Sequence, residues 1–409
     1  MSLDFNFQSL SLEDKSKAAA HADGRESLWR LDPDFTVQID CVARLLVVEE
    51  ITDAILESSG VLEIFSFRRT CRLGKRAVDS YNGRAFNVNR NLLRFFDDPE
   101  SFRALQERTN TLISGSFALA LLDRTVYPES DLDLYTHPGF ARVVSEWLHG
   151  EGYQLIRRGE EVDWEETVVD NWRNLTRPDQ GQEDDAPDME PYDSSFPEAH
   201  AVYNWNRDGR TVQIISCTRC PFAAILGFHS TVVLNFISHR ASYSLYPKAT
   251  FAQRTGIPLE PVTDRQELAL QKYKTRGWNI ERSFTWDRTS DFQPYDCQRR
   301  AGDAYSWCLP DSSRINRAAS SQDNIVDPSS AYGFKLIGIK YKMQYTVITA
   351  PILRLHYTIA GDALPAVIAQ QLDLHWRRHR RTLERLPLEE RPKRWIWKDE
   401  WLQKKLSEC

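Results

Sequence analysis

The sequence predicts an α+β protein, and three observations carry that expectation. Short helical periods of apolar residues fill the region after about Phe35. Strict two-residue alternation then marks the strand of Asp131, Leu132, Asp133 and Leu134, and a hairpin pattern runs from Ala201 to Cys217. Between them, helix and strand patterns alternate, as expected of helices packed on a mixed sheet. The 409 residues suffice for two or three cores, and 41% hydrophobic with 27% charged residues suits a globular chain with polar loops.

Residues 1–34 are polar, with an alanine-rich patch and little apolar period, and read as a flexible arm. From 35 to 95 three short helices are expected, on Leu46, Ile51, Ile55 and Leu56, then Val61, Leu62, Phe65 and Phe67, then Cys71, Leu73, Ala77 and Val78. A further helical run spans about Asn91 to Leu105. The next region, 96–250, is expected to hold the sheet. In it TLISGSFALALLDRTVYPESDLDLYTHPG gives an apolar segment, a Gly-Ser turn, a helix, and a strand with two carboxylates. A helix from Phe140 to His149 and a strand from Tyr153 to Ile156 follow. Residues 160–200 contain fourteen acidic residues against two basic ones and read as a surface insertion. AVYNWNRDGRTVQIISC is a hairpin signal with Asp208-Gly209 as its turn, and Pro221 opens a short apolar helix. Residues 251–409 are expected to form an α+β C-terminal region, with a helix over 251–275, strands within Tyr332–Tyr357 and a helix over Leu364–Arg385.

Asp131 and Asp133 have the same strand parity, so both acids face one way while the leucines face a core. Paired carboxylates hold hard divalent ions such as Mg2+ or Mn2+, and those ions bridge phosphate oxygens. Gly115 permits close backbone approach to a phosphate, and Ser116 offers a hydroxyl and an N–H. Ser130 is placed to order the loop before the strand, and Arg124 lies between the turn and the acids. His137, just past the second acid, suits either a nucleotide contact or a local hydrogen bond.

With this Gly-Ser turn, alanine-leucine helix and Ser-Asp-x-Asp strand, the region from about 110 to 240 resembles the nucleotidyltransferase superfamily. The resemblance implies a nucleotidyltransferase-like mixed sheet. It also implies transfer of a nucleoside monophosphate from an NTP to an acceptor that the sequence does not identify. Gly115 and Ser116 would take the phosphate-binding turn, and Asp131 and Asp133 the first two metal positions. Many members use a third acid on a later strand. The matching segment here is Thr211 to Ile215, which puts Gln213 in that place as a neutral metal ligand. Asp208, or Asp170, Glu190 and Asp193 from the insertion, are the other acids available.

The segment 38–85 weakly resembles an F-box, through VEEITDAILESSGVLEIF and SFRRTCRLGKRAVDSY, which would imply docking to the adaptor subunit of a ubiquitin ligase. An interaction protein on a catalytically weakened nucleotidyltransferase fold is thus one alternative. A nucleic-acid-binding module is another, carried by HWRRHRR at 375–381 with Trp376, and by Lys335, Lys340 and Lys342. RNA is a partner to test on that account. Cys217 and Cys220 have a spacing that suits zinc, but their place at a strand end and before Pro221 reads as buried thiols. The net charge of −6 makes no global case for nucleic acid. Seven scattered cysteines, no eighteen-residue apolar run and an acidic N-terminal stretch give the expectation of a cytoplasmic or nuclear protein with no membrane partner.

Overall fold

In the computed structural model the described residues are 44–168, 199–217, 220–259, 262–280, 297, 299–311, 332–337, 342–347, 382, 385–393 and 404. The expected arm at 1–34, most of the acidic insertion with Asp170, Glu190 and Asp193, Lys340, the 375–381 basic cluster and nearly all of the Leu364–Arg385 segment lie outside them. The chain divides into two compact units, Met1–Arg84 and Ala85–Cys409.

Among the described residues the first unit includes the helices α1 (Glu49–Glu57), α2 (Val61–Arg68) and α3 (Arg72–Ala85), where the apolar periods predict three, with residues 44–47 also helical just before them. Leu56, Ile64, Ala77, Val78 and Tyr81 are their buried apolar side chains, and Thr52 is buried with them. Arg84 makes a two-pronged bond to Asp53, at 2.7 and 2.6 Å, which ties α3 to α1. Leu45, Val47, Val48, Ile51, Ile55 and Leu62 stay exposed.

The second unit begins with two helices where one run was expected, α4 (Val88–Leu92) and α5 (Pro99–Thr109). The break has a local cause: a residue before proline is pushed out of the helical region, and Asp98 instead caps α5 by accepting from the Ser101 N–H at 3.1 Å. Strand β1 (Leu112–Ser114) runs into α6 (Gly115–Leu122), which is apolar nearly all round and buried from Ser116 onward. Then come β2 (Leu132–Thr136), α7 (Ala141–Gly150), β3 (Gln154–Arg157), β4 (Glu160–Glu161) and the single turn α8 (Trp164–Thr167). The predicted hairpin is present as β5 (Ala199–Arg207) and β6 (Arg210–Cys217). Asp208 and Gly209 take φ of 52° and 78°, the left-handed pair that a two-residue turn between twisted strands requires.

After α9 (Pro221–Leu226) come β7 (Asn235–Ile237), β8 (Ala241–Ser244) and β9 (Thr255–Gly256). The helix expected over 251–275 starts only at Asp264. Pro258 pairs with Ser230 in an isolated bridge, and a capping box between Thr263 and Gln266 then opens α10 (Asp264–Thr275). The last elements are β10 (Asn279–Ile280), β11 (Trp307–Pro310), β12 (Tyr332–Ile337) and β13 (Lys342–Val347), the final two forming an antiparallel pair.

Nine strands form one mixed sheet in the order β11-β8-β7-β1-β2-β6-β5-β3-β4. Within this sheet, among the described residues, only β2 and β6 pair in parallel, so the chain must cross over between them, and α7 with β3 to β5 fill that crossover. Strand β11 joins the sheet against β8, so residues beyond 250 belong to the same sheet as the central strands. One face of the sheet is apolar. Leu132, Leu134, Val212, Ile214 and Trp205 are fully buried on it, in one cluster with Phe96, Phe102, Val144 and Leu148 from α5, α7 and the link before α5. The opposite face of β2 carries Asp133 and then Tyr135, whose ring lies 5.7 Å from that of Phe228.

Candidate functional site

Three strand registers assemble the site. Ser114 lies opposite Asp133 across β1 and β2, Asp133 opposite Gln213 across β2 and β6, and Gln213 opposite Asn204 across β6 and β5. Gly115 follows Ser114 with φ of 68° and sits against the inner acid: a Cβ there would come within 1.9 Å of Asp133 Oδ2. Both the left-handed backbone and the contact demand glycine. The Ser114 hydroxyl donates to the Asn235 carbonyl at 2.5 Å, fixing β1 to the start of β7.

Asp131 and Asp133 are half-buried on one face, with Leu132 and Leu134 pointing into the core. Burial, with the charge of Asp131 added, pushes the Asp133 carboxyl up to about 7, against the opposing pull of Lys272. Burial also raises Asp131, again opposed by Lys272. The Lys272 ammonium is held below its ordinary value by burial and by Arg276, while the two acids act to raise it. Lys272 therefore acts through space on both carboxylates. Gln213 enters as a donor, its Nε2 lying 3.3 Å from Asp131 Oδ2.

Ser116 is buried beneath α10. Its Oγ accepts from Arg276 Nη1 at 3.1 Å and lies 3.3 Å from the Tyr273 hydroxyl. The Arg276 guanidinium stacks over Tyr127, 3.8 Å from the ring centre, so it is held on two sides. Burial keeps the Tyr127 phenol up at about 12. The buried His229 ring lies 5.5 Å from that of Tyr273, and burial aided by Lys272 lowers it to about 4, leaving a neutral imidazole at pH 7. His137 is also buried and held down near 3 by burial, so it enters no charge chemistry near neutrality.

Gly115, Ser116, Asp131, Asp133 and Gln213 thus come together as their pattern suggested. Ser130 closes the turn before β2 by donating its N–H to the Tyr127 carbonyl at 3.0 Å, and its own hydroxyl is buried with no partner among the described residues. Arg124 is placed differently. It ends α6 with φ of 51° and acts on Asp123, at the opposite end of the helix from Gly115, about 12 Å along its axis. The cation acting on the acids is Lys272 on α10, and Arg276 at the end of that helix holds Ser116; the expectation left both in a generic C-terminal helix. Their four-residue spacing on one helix face was the available signal. Asp208 lies in the exposed hairpin turn, five residues from Gln213, too far to stand in for a third acid. Cys217 and Cys220 are buried, and no cluster of three or more His, Cys, Asp or Glu able to hold a metal occurs among the described residues.

The donor set at the acids is all oxygen, two carboxylates on one face, which fits a hard ion such as Mg2+ or Mn2+ rather than zinc. Comparison with protein-family models, curated proteins and solved structures gives no match. No helix among the described residues is long and apolar enough to cross a membrane.

Proposed function

We propose that this protein is a metal-dependent nucleotidyltransferase, moving a nucleoside monophosphate from an NTP to an acceptor hydroxyl or phosphate. The observation that carries this reading is the juxtaposition of Gly115, in a left-handed turn at the start of α6, with the carboxylate of Asp133 one strand away. A turn that brings a helix N-terminus and a serine beside two same-face acids suits a phosphate chain bridged to the protein by a cation. Asp131 and Asp133 would hold Mg2+ or Mn2+, which supplies charge neutralisation on the phosphates. Ser116 and the first N–H groups of α6 would orient them. The acceptor oxygen bonds to the α-phosphorus as the bond to the bridging oxygen breaks. Pyrophosphate leaves with the electron pair, and the acceptor proton passes to water. Positioning and charge compensation carry most of such a reaction, so the kit is sufficient.

The test is binding of the four NTPs with and without magnesium, in wild type and in the Asp131→Ala, Asp133→Ala double variant. Saturable, magnesium-dependent binding that disappears in the folded double variant is expected. No binding by folded wild type would remove the reading.

A second reading concerns the first unit. Val47, Val48, Ile51, Ile55 and Leu62 expose apolar side chains there, the surface an F-box-like adaptor function would use. It predicts direct binding of a purified ubiquitin-ligase adaptor subunit, weakened by Ile51→Asp with Ile55→Asp. Equal binding by the variant would reject it.

A further inference from the structure

We infer that Arg276 holds the terminal phosphate of a triphosphate, and that the Ser116 hydroxyl serves this arginine instead of the phosphate itself. The identity of the ligand rests on the nucleotidyl-transfer reading above. Arg276 caps the C-terminal end of α10, half-buried, and two contacts set its position. Nη1 donates to Ser116 Oγ at 3.1 Å, and the guanidinium carbon stands 3.8 Å from the centre of the Tyr127 ring. Tyr127 is itself anchored, because its carbonyl accepts from Arg94 Nη2 at 3.1 Å and from the Ser130 N–H at 3.0 Å. Ser116 Oγ also meets the Tyr273 hydroxyl at 3.3 Å, so two of the three hydrogen bonds a hydroxyl can make are used inside the protein.

Charge distinguishes this arginine from others in the chain. Arg254 also stacks on an aromatic ring, 4.2 Å from the centre of Trp278, but it is bonded to Asp123. Arg84, Arg103 and Arg299 likewise meet Asp53, Asp311 and Asp303. Arg276 has no carboxylate partner among the described residues, and its side-chain bond goes to a neutral oxygen. A guanidinium has five N–H donors, so most of its fork is left for a ligand. Nor is Arg276 needed to tie α10 to α6. Tyr273 already reaches Ser116, and Trp278 Nε1 donates to the Thr250 carbonyl at 2.9 Å, which holds the chain just after α10. The guanidinium stands instead at the start of α6, where the first turn contains no acid and Ser114 makes no side-chain cap. A cation there is opposed by the helix dipole and becomes favourable when an anion joins it. Asp133 approaches the same turn from the Gly115 side. A phosphate chain crossing Gly115 and Ser116 would thus run from a cation on the acids to Arg276, whose planar fork matches phosphate oxygens. A diphosphate, one phosphate shorter, would keep the first contact and lose the second.

The experiment is calorimetric titration of the full chain, first with inorganic tripolyphosphate in EDTA, then with each NTP and its matching NDP in magnesium. Wild type is expected to bind tripolyphosphate saturably, and Arg276→Gln to bind it about tenfold more weakly or worse. Asp131→Ala with Asp133→Ala should retain that binding, since no metal takes part in it. In magnesium, Arg276→Gln should lose more affinity for the NTP than for the NDP, whereas an arginine that only joined helices would lower both alike. Arg276→Lys keeps the charge but neither the fork nor the flat stack on Tyr127, and should be weakened nearly as much as the glutamine variant. No tripolyphosphate binding by folded wild type, unchanged binding in folded Arg276→Gln, or equal losses for NTP and NDP would each overturn the inference. If Arg276→Gln does not fold, Tyr127→Leu decides: it must show the same preferential loss of NTP, and an unchanged preference rejects the site. Tripolyphosphate bound through Arg276 by a protein that takes no NTP would keep the anion site and remove the nucleotidyl-transfer reading. NTP binding indifferent to Arg276 would do the reverse.

Discussion

The two faces of β2 are built to opposite rules from adjacent residues. Leu132 and Leu134 are completely buried against side chains from α5 and α7, while Asp131 and Asp133 lie on the other side, where burial raises both carboxyls. The apolar face stabilises the fold, whereas the acidic face opposes it. A strand can hold two poorly solvated carboxylates together only because its other face and its neighbours fix the backbone. The acidic face is therefore strained electrostatically, and the buried apolar face offsets that cost.

That contrast can be broken most strongly from the apolar side. Leu134→Ala should cost about 2–5 kcal/mol by leaving a cavity at a fully buried position, measured by denaturant unfolding. A cost near zero would mean that this face does not support the strand. Gly115→Ala comes next, at about 1–3 kcal/mol, because alanine must accept a left-handed φ and displace the Asp133 carboxylate. Its Mn2+ affinity should fall with its stability, and unchanged affinity would separate the turn from the acids.

Asp133→Asn should act with the opposite sign. A carboxyl raised from its ordinary value of 3.8 to about 7 binds its proton more tightly in the folded state than in the unfolded one. Its effect is therefore neutral below the unfolded value and becomes destabilising as pH rises toward 7. The asparagine variant should be more stable than wild type at pH 8, by on the order of 2 kcal/mol after allowance for partial exposure, with little difference at pH 3. Thermal unfolding at both pH values decides it, and a variant less stable at pH 8 would contradict the assignment. The smallest effect belongs to Gln213→Ala, which loses one long, half-exposed hydrogen bond and should cost less than about 1 kcal/mol.

Where sequence and structure agree, short-range chemistry is the reason. The alternation of acid and leucine, the Gly-Ser turn and the Asp208-Gly209 hairpin are written within a few residues, and each has one favourable backbone solution. The α+β class followed from those same patterns. The helix expected through Asn91–Leu105 is broken before Pro99, and the one expected from 251 starts only at the Thr263 cap, so local stop and cap signals rather than apolar period set both starts. The spacing of Lys272 and Arg276 puts them on one helix face, but neither that spacing nor anything local to Tyr127 says what the face meets. Lys272 and Arg276 reach Ser116 and the acids only through the packing of α10, and a lysine at helical spacing looks like any solvated face.

The sheet order also sets a timetable for synthesis. Strand β1 and the acids of β2 emerge early, yet β1 pairs with β7 and β2 with β6, and Lys272 follows Asp133 by about 140 residues. At typical elongation rates of about 5–20 residues per second, the carboxylates wait on the order of ten seconds before the lysine beside them exists. A nascent chain thus passes through a stage in which the acids are present without their counter-charge.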